Sequence, residues 1–199
     1  MTIDKDGMVV HTRILHERRP NIERGALTAV RGIIVHQTGG SNADSTLNSY
    51  KLVGAKGAHF LIEREGTIYQ TASLKRKTMH VGALKARCVM DQRCTPAELK
   101  ALKTFAPKAE HRRESLKQVP DRFPSNEDSI GIELVGELAG DSKRPDHERE
   151  YECVTNEQND SLKWLVAELQ MSLGLSLTEV FRHPDASRKN PTEASTARW

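Results

Sequence analysis

The sequence has few aromatic residues and no long apolar segment. Aromatic side chains make up 5% of its 199 residues, whereas 37% are hydrophobic and 29% are charged, a balance typical of a globular domain. Without groups of aromatic side chains to stack on bases, we expect no nucleic-acid binding, although the net charge of +3 suits an anionic polymer. No apolar stretch reaches the roughly 20 residues of a membrane-spanning helix, so we expect no membrane insertion.

The N-terminus and the cysteines bear on the compartment in which the protein works. Met1–Val10 carries three charged residues and lacks the apolar region of a secretory signal peptide. We therefore predict either a cytoplasmic protein or one exported by a route that needs no leader. The three cysteines are too few for a disulfide framework. Cys88 and Cys94 are close enough in sequence to close a small loop under oxidising conditions, but free thiols are the simpler expectation.

Hydrophobic patterning predicts an α/β fold. Gly32–His36 has the β-branched composition of a buried strand, and Ala58–Glu63 with Thr67–Thr71 has the alternation of a hairpin. Thr155–Leu173 carries leucines and a valine on one helical face, and Gly174 ends that pattern. These elements predict one domain with a mixed central β-sheet flanked by helices.

Composition divides the chain into three parts. Residues 1–30 are charged and weakly patterned, and we interpret them as an N-terminal extension of a domain that covers residues 31–199. Within that domain, residues at about 83–128 differ from their surroundings, because they contain a helix start at Thr95–Glu98 followed by basic amphipathic stretches. We predict an inserted helical segment there, either a lid that contacts substrate or a passive surface insertion.

Three separated segments end in, or contain, residues that bind zinc or exchange protons. One apolar run ends at His36 and another ends at His183, while Glu133 lies inside the strand-like stretch Ser129–Gly136. Two histidines at the ends of strands and one later acid supply three zinc ligands and leave the fourth position open for water. This set of donors is typical of a metal-dependent hydrolase.

Five short motifs follow one another in a recognisable order along the chain. They are Val35–Thr38, Ala58–Ile62 with Glu65–Ile68, His80–Gly82, Ser129–Leu134, and the tail that starts at His183. Together they resemble the zinc-dependent N-acetylmuramoyl-L-alanine amidase family, the type 2 amidases, which share their fold with peptidoglycan recognition proteins. The resemblance implies a zinc ion, a substrate in peptidoglycan or muropeptides, and hydrolysis of the amide bond between N-acetylmuramic acid and L-alanine.

The resemblance also implies a set of zinc ligands. His36 and His183 match the two histidines of the family, and the third ligand, which follows the second histidine by about ten residues, falls on Glu193. The match departs from the family pattern here, because the family has Asp or Cys at this position, a lysine two residues earlier and a Pro-Gly pair. In this chain Lys189 lies four residues before Glu193. Asp185 is the alternative third ligand.

Two further residues match catalytic positions of the family. Glu133 stands where the family has its catalytic glutamate and would accept a proton from the attacking water; a structural salt bridge is the alternative. Lys189 would donate to the oxyanion of the tetrahedral intermediate, with Arg188 or Arg182 as alternatives.

Three other residues of the matching motifs lie near the expected site. His80 and Thr38 are predicted to contact the substrate. His59 is predicted to be structural or to orient a histidine ligand through a hydrogen bond.

The resemblance leaves the biological role open among three possibilities. A zinc amidase is favoured, because a receptor has no use for a buried general base; a non-catalytic peptidoglycan-binding module is the alternative. Among amidases, a cytosolic enzyme that recycles anhydro-muropeptides is one candidate. The insert and the diverged tail favour instead an antibacterial effector or lytic enzyme that acts in the periplasm. An effector would also require a neutralising immunity protein as partner.

Overall fold

The computed structural model describes residues 1–141 and 143–199 and has the mixed α/β fold that the patterning predicts. The helices are α1 (Ala43–Ser49), α2 (Arg87–Met90), α3 (Pro96–Leu102), α4 (Pro107–Ser115), α5 (Asn156–Leu173) and α6 (His183–Ala186), with 3-10 turns at Pro20–Ile22 and Asp146–Glu148. The strands are β1 (Thr2–Ile3), β2 (Val9–Val10), β3 (Ile14–His16), β4 (Glu23–Ala26), β5 (Gly32–Gly39), β6 (Phe60–Ile62), β7 (Ile68–Gln70), β8 (Arg76–Thr78), β9 (Ser129–Ala139), β10 (Glu150–Tyr151) and β11 (Val180–Arg182).

A seven-stranded sheet forms the centre of the molecule, in the order β11-β5-β9-β6-β7-β3, with β10 paired to β9. Strands β11, β5, β9 and β6 are parallel, and β6 with β7 forms the antiparallel hairpin that the sequence predicts. In this register His36 lies beside Glu133, and Arg182 pairs with Val35, so that His183 follows next to His36. The sheet thus brings three distant segments of the chain to one place.

The long helix α5 covers the core of this sheet. Gly174 ends it, as predicted from the sequence, and adopts the left-handed conformation at φ +64°. Thr155 caps its first turn together with Gln158. Its buried side chains Leu165 and Leu169 pack in the main hydrophobic cluster. Among the described residues, no helix has both the length and the apolarity needed to cross a membrane.

The N-terminal segment, residues 1–30, packs into the domain. Its strand β3 pairs with β7 at the edge of the main sheet, and Val9, Ile14 and Leu27 belong to the main hydrophobic cluster. The sequence of this segment is charged and weakly patterned, whereas the structure has four strands in it. Strands of two to four residues are too short to produce a periodic pattern, which explains the difference.

The insert, residues 83–128, contains the three short helices α2, α3 and α4, in agreement with the predicted helical segment. The expectation of free thiols within it is wrong, because Cys88 and Cys94 form a disulfide with their Cα atoms 4.6 Å apart. A turn follows α2, and the N–H of Arg93 donates to the carbonyl of Cys88 at 2.9 Å, which brings the two cysteines together. Cys153 is free and exposed.

Candidate metal site and cleft

All seven residues that the sequence singles out for binding or catalysis line one cavity of about 320 Å³, called the cleft below. They are His36, Thr38, His80, Glu133, His183, Lys189 and Glu193. The insert contributes no residue to the lining, so it does not form the lid over this cavity that the sequence allowed. Asp146 and Tyr151, from the segment that follows β9, line the cavity instead.

Two histidines and a glutamate form a compact cluster in the cleft. The Oε1 atom of Glu193 lies 3.0 Å from Nδ1 of His183 and 3.5 Å from Nδ1 of His36. His36 stands in β5 and His183 begins α6 directly after β11. Gln37 holds the tail in place, because its Oε1 atom accepts a hydrogen bond from the backbone N–H of Ala194 at 2.9 Å.

The donor atoms of this cluster fit a zinc ion. One ligand atom from each of His36, His183 and Glu193 lies within 4.8 Å of the other two. Two atoms bound to the same tetrahedral zinc are about 3.3 Å apart, and the distances of 3.0 and 3.5 Å from Glu193 lie on either side of that value. Imidazole nitrogen and carboxylate oxygen are also donors that zinc accepts.

Asp185, the alternative third ligand, is bonded to Arg182 instead of facing the two histidines. Its carboxylate accepts hydrogen bonds from the backbone N–H of Arg182 at 3.1 Å and from the Arg182 guanidinium at 3.2 and 3.3 Å. Asp185 therefore closes the first turn of α6 and lies outside the cluster. Arg182 is thus paired with Asp185, and Arg188 is paired with Glu110 of α4. Neither of these two alternatives to Lys189 is therefore free to donate to the oxyanion.

The electrostatics of the cluster favour the protonation states that bind a metal. Burial, together with the neighbouring charge of His183, lowers the pKa of His36 to about 4. Burial alone would raise the pKa of Glu193, but the contacts of its carboxylate with the imidazoles of His183 and His36 outweigh this effect and lower the pKa to about 2. At neutral pH the glutamate is therefore ionised and the His36 imidazole is neutral.

Glu133 faces the cluster from the neighbouring strand β9. Its Oε2 atom is buried and has no hydrogen-bond partner among residues 1–141 and 143–199. Burial raises the pKa of Glu133 to about 8, the charge of Glu193 adds to this rise, and the charge of Lys189 opposes it. Within the same residues Glu133 forms no ion pair, which argues against the structural salt bridge.

His80 lies behind His36 rather than at an open position. Its Nδ1 atom is 3.0 Å from Nε2 of His36, and its Nε2 atom is 3.2 Å from the hydroxyl of Ser129. Both ring nitrogens therefore have protein partners, although His80 still lines the cleft. The contact to His36 is a feature that the sequence did not predict.

His59 and Thr38 form hydrogen bonds with backbone groups around the site. His59 Nε2 donates to the carbonyl of Arg76 at 2.9 Å, and its Nδ1 accepts from the N–H of Gly131 at 3.1 Å. It touches neither histidine of the cluster through a hydrogen bond, so the structural alternative holds. The hydroxyl of Thr38 accepts from the N–H of Gly40 at 3.1 Å and from that of Gly136 at 3.3 Å.

Sequence reasoning missed two residues that shape the other side of the cleft. Burial raises the pKa of the Tyr151 phenol, and the charges of Glu193 and Glu133 raise it further. The side-chain amide of Asn190 donates to the carbonyls of Asp146 and Arg149 at 2.5 and 2.7 Å, which joins the tail to the segment after β9. No periodic pattern marks either residue.

Comparisons with known proteins agree with this fold and with the family that the sequence motifs resemble. The model of the N-acetylmuramoyl-L-alanine amidase family matches residues 26–193. A comparison with curated protein sequences finds no significant match.

Several solved structures have a similar fold. A selenomethionine derivative of AmpD is 17% identical with a TM-score of 0.53, and the alignment covers 100% of this chain and 96% of AmpD. AmpDh3 from Pseudomonas aeruginosa is 18% identical with a TM-score of 0.53, covering 98% of this chain and 63% of that one. The catalytic domain of XlyA is 19% identical with a TM-score of 0.51, covering 88% and 87% of the two chains. At these identities the likeness shows the fold.

Proposed function

The chain belongs to the N-acetylmuramoyl-L-alanine amidase family, and we propose that it is a zinc-dependent enzyme that hydrolyses the amide bond between N-acetylmuramic acid and L-alanine. The cluster of His36, His183 and Glu193 beside Glu133 is the observation that carries this proposal. A zinc ion held by the first three residues would polarise the substrate carbonyl and lower the pKa of the attacking water.

The protein residues around that ion would handle the protons and the charge. The positive charge of a bound zinc ion would favour the ionised form of Glu133. Glu133, with one oxygen that lacks a hydrogen bond among the described residues, then accepts a proton from the water as the water oxygen bonds to the carbonyl carbon. Lys189 lies at the edge of the cleft, and its ammonium donates to the oxygen on which negative charge develops. Glu133 then passes its proton to the amine of L-alanine as the C–N bond breaks.

A non-catalytic peptidoglycan-binding module is the second candidate. Such a protein would need the cleft but not a carboxylate at position 133. Burying a carboxyl group without a partner costs free energy, and a raised pKa is the usual consequence. The unpaired Oε2 of Glu133 and its pKa of about 8 therefore favour the enzyme.

The disulfide in the insert supports a role outside the cytoplasm. Disulfides persist in oxidising compartments such as the periplasm and are rare where thiols are kept reduced. With Cys88 bonded to Cys94, we propose that the protein acts on the peptidoglycan layer as an antibacterial effector or lytic enzyme. As an effector it would have an immunity protein as partner. A cytosolic recycling enzyme would instead contain the two reduced thiols.

The decisive experiment treats two substrates in parallel with purified protein of known zinc content. Intact sacculi and purified anhydro-muropeptides are digested, and the products are identified by mass. We expect release of peptides with a free L-alanine amino terminus, and loss of this release with His36→Ala. Protein that holds zinc and binds sacculi but releases no peptide would be a binding module. Cleavage restricted to anhydro-muropeptides would favour recycling.

A further inference from the structure

A chain of hydrogen bonds runs from His36 away from the cleft and ends at a backbone carbonyl. Nε2 of His36 lies 3.0 Å from Nδ1 of His80, and Nε2 of His80 lies 3.2 Å from Oγ of Ser129. The Ser129 hydroxyl in turn lies 2.5 Å from the carbonyl oxygen of Ser125. The side chains of His36, His80 and Ser129 are buried, with exposed fractions of 2%, 9% and 0%.

The carbonyl of Ser125 determines which group donates and which accepts in every hydrogen bond of this series. A carbonyl oxygen only accepts, so Ser129 donates its single hydroxyl proton to Ser125. The Ser129 oxygen is then the acceptor for His80, whose proton must lie on Nε2. A neutral imidazole has one N–H, so Nδ1 of His80 carries a lone pair and accepts the Nε2–H of His36.

This direction leaves Nδ1 of His36 with its lone pair facing Glu193 and His183. The opposite tautomer would place a proton on Nδ1, from which Glu193 Oε1 lies 3.5 Å away, longer than the 3.0 Å of the bond to His80. That tautomer would also place the Nε2 lone pair of His36 against the lone pair of His80. The hydrogen-bond chain therefore favours the form of His36 that can bind a metal through Nδ1.

We propose that Ser129 and His80 are positioning residues that hold His36 in the tautomer that binds zinc through Nδ1. This inference rests on the proposed zinc site, and it assigns His80 a different role from the substrate contact predicted from the sequence. Outer hydrogen bonds of this kind fix the ring orientation and tautomer of histidine ligands and raise their basicity.

The surroundings of His80 leave little freedom for its ring. A Cβ atom at Gly131 would lie 2.8 Å from two atoms of the His80 ring, so only glycine leaves room for it at this point of β9. The side-chain oxygen of Asn126 accepts the backbone N–H groups of His80 and Val81 at 2.8 and 2.7 Å.

Among the described residues, no comparable series of hydrogen bonds starts at His183. Its Nε2 atom is buried without a hydrogen-bond partner among the described residues, and its Nδ1 already contacts Glu193. His36 is therefore the ligand whose orientation is prepared before the metal arrives.

The first test reads the tautomer directly in the zinc-free protein. Nitrogen-15 NMR of the histidine side chains at neutral pH should show the proton of His36 on Nε2 and that of His80 on Nε2. In Ser129→Ala the last acceptor is lost, and the His36 signal should shift toward the Nδ1–H form. A proton on Nδ1 of His36 in the wild type, or an unchanged signal in Ser129→Ala, would overturn the inference.

The second test measures zinc affinity with a matched pair at position 80. In His80→Asn the amide oxygen can replace Nδ1 as acceptor for His36. In His80→Leu the leucine has a shape similar to that of asparagine but offers no acceptor atom. We expect zinc binding to weaken roughly 10–100-fold in His80→Leu and less in His80→Asn, with both variants folded by circular dichroism. Equal affinities in the two variants would contradict the role of His80. If the wild type itself binds no zinc, the proposed function fails, while the NMR measurement still decides the tautomer.

Discussion

Two buried arginines of the insert are paired with carboxylates, whereas Glu133 of the cleft has no such partner among the described residues. In the insert, Arg87 makes two bonds to Glu179 at 2.7 and 2.8 Å, and Arg122 makes two bonds to Asp128 at 2.6 and 3.1 Å. In the cleft, the Oε2 atom of Glu133 is buried without a hydrogen-bond partner among the described residues. Removing one member of a buried ion pair would leave an uncompensated charge, whereas the carboxyl group of Glu133 already carries the free-energy cost of burial without a partner.

The insert also contacts the chain segment that carries part of the cleft. Arg188 of the tail pairs with Glu110 of α4, and Nζ of Lys85 donates to the carbonyl of Pro184 at 2.8 Å. These contacts join the insert to the chain segment between His183 and Glu193. The insert therefore supports the segment that carries two of the proposed ligands, although it contributes no residue to the cleft.

The largest effect should come from Glu133→Gln, because it removes the proton acceptor and keeps the size of the side chain. We expect the rate of muropeptide cleavage to fall by roughly 10²–10⁴-fold, with zinc content unchanged. Glu137→Gln, at an exposed position of the same strand, is the control and should retain full activity. A fully active Glu133→Gln variant would reduce Glu133 to a structural residue.

A large loss of stability should follow from Arg87→Met, which leaves Glu179 buried without its partner. Removing one member of a buried pair costs about 3–5 kcal/mol, and urea denaturation will measure it. The double variant Arg87→Met/Glu179→Leu should recover most of this loss. Arg93→Met, which breaks a more exposed pair, should cost about 1 kcal/mol or less. If Arg87→Met is as stable as Arg93→Met, the buried pair does not hold the insert.

His59 should make the stability of the protein depend on pH. Burial lowers its pKa from 6.5 to about 4, so the unfolded chain binds the proton more readily than the folded protein does. The stabilising contribution is present above pH 6.5 and is lost as pH falls toward 4, by up to roughly 3 kcal/mol. His59→Gln should therefore flatten the decrease in unfolding free energy between these pH values. An unchanged slope would show that His59 does not contribute.

Loss of the disulfide should have a moderate effect on stability and little effect on catalysis. The Cys88–Cys94 bond closes a short loop, for which about 2 kcal/mol is expected. Cys88→Ser/Cys94→Ser should unfold at lower urea concentration but cleave muropeptides at nearly the wild-type rate. Cys153→Ser, which alters the free cysteine, is the control. A large loss of activity in the double variant would mean that the insert affects the cleft more strongly than its contacts indicate.

The smallest effect should come from Asp185→Ala. Its carboxylate caps the first turn of α6, so we expect a loss of about 1 kcal/mol in stability and full zinc content. Glu193→Ala, in contrast, should lose most of the zinc, and metal analysis of the two variants will separate them. Loss of zinc in Asp185→Ala together with its retention in Glu193→Ala would reverse the ligand assignment.

The parts of the fold that the sequence predicts well are those with strong local patterns. The helix α5 has an apolar face, a capping residue at Thr155 and Gly174 at its end, and each is visible within its own segment. The hairpin of β6 and β7 is equally local. The strands of residues 1–30 and the cysteine pair lie in short, irregular segments, where local patterns carry little information.

For the candidate site, too, some features are readable from the local sequence and others depend on the tertiary structure. By itself, the sequence determined that His36, Glu133 and His183 belong to strands or strand ends, because the apolar runs around them are readable without the fold. The resemblance placed the third ligand at Glu193, with Asp185 as the alternative, but only the path of the chain shows that the carboxylate of Glu193 lies against the two histidines. The contact between His80 and His36 also depends on residues 44 positions apart, and only the packing of His80 over Gly131 of β9 brings them together.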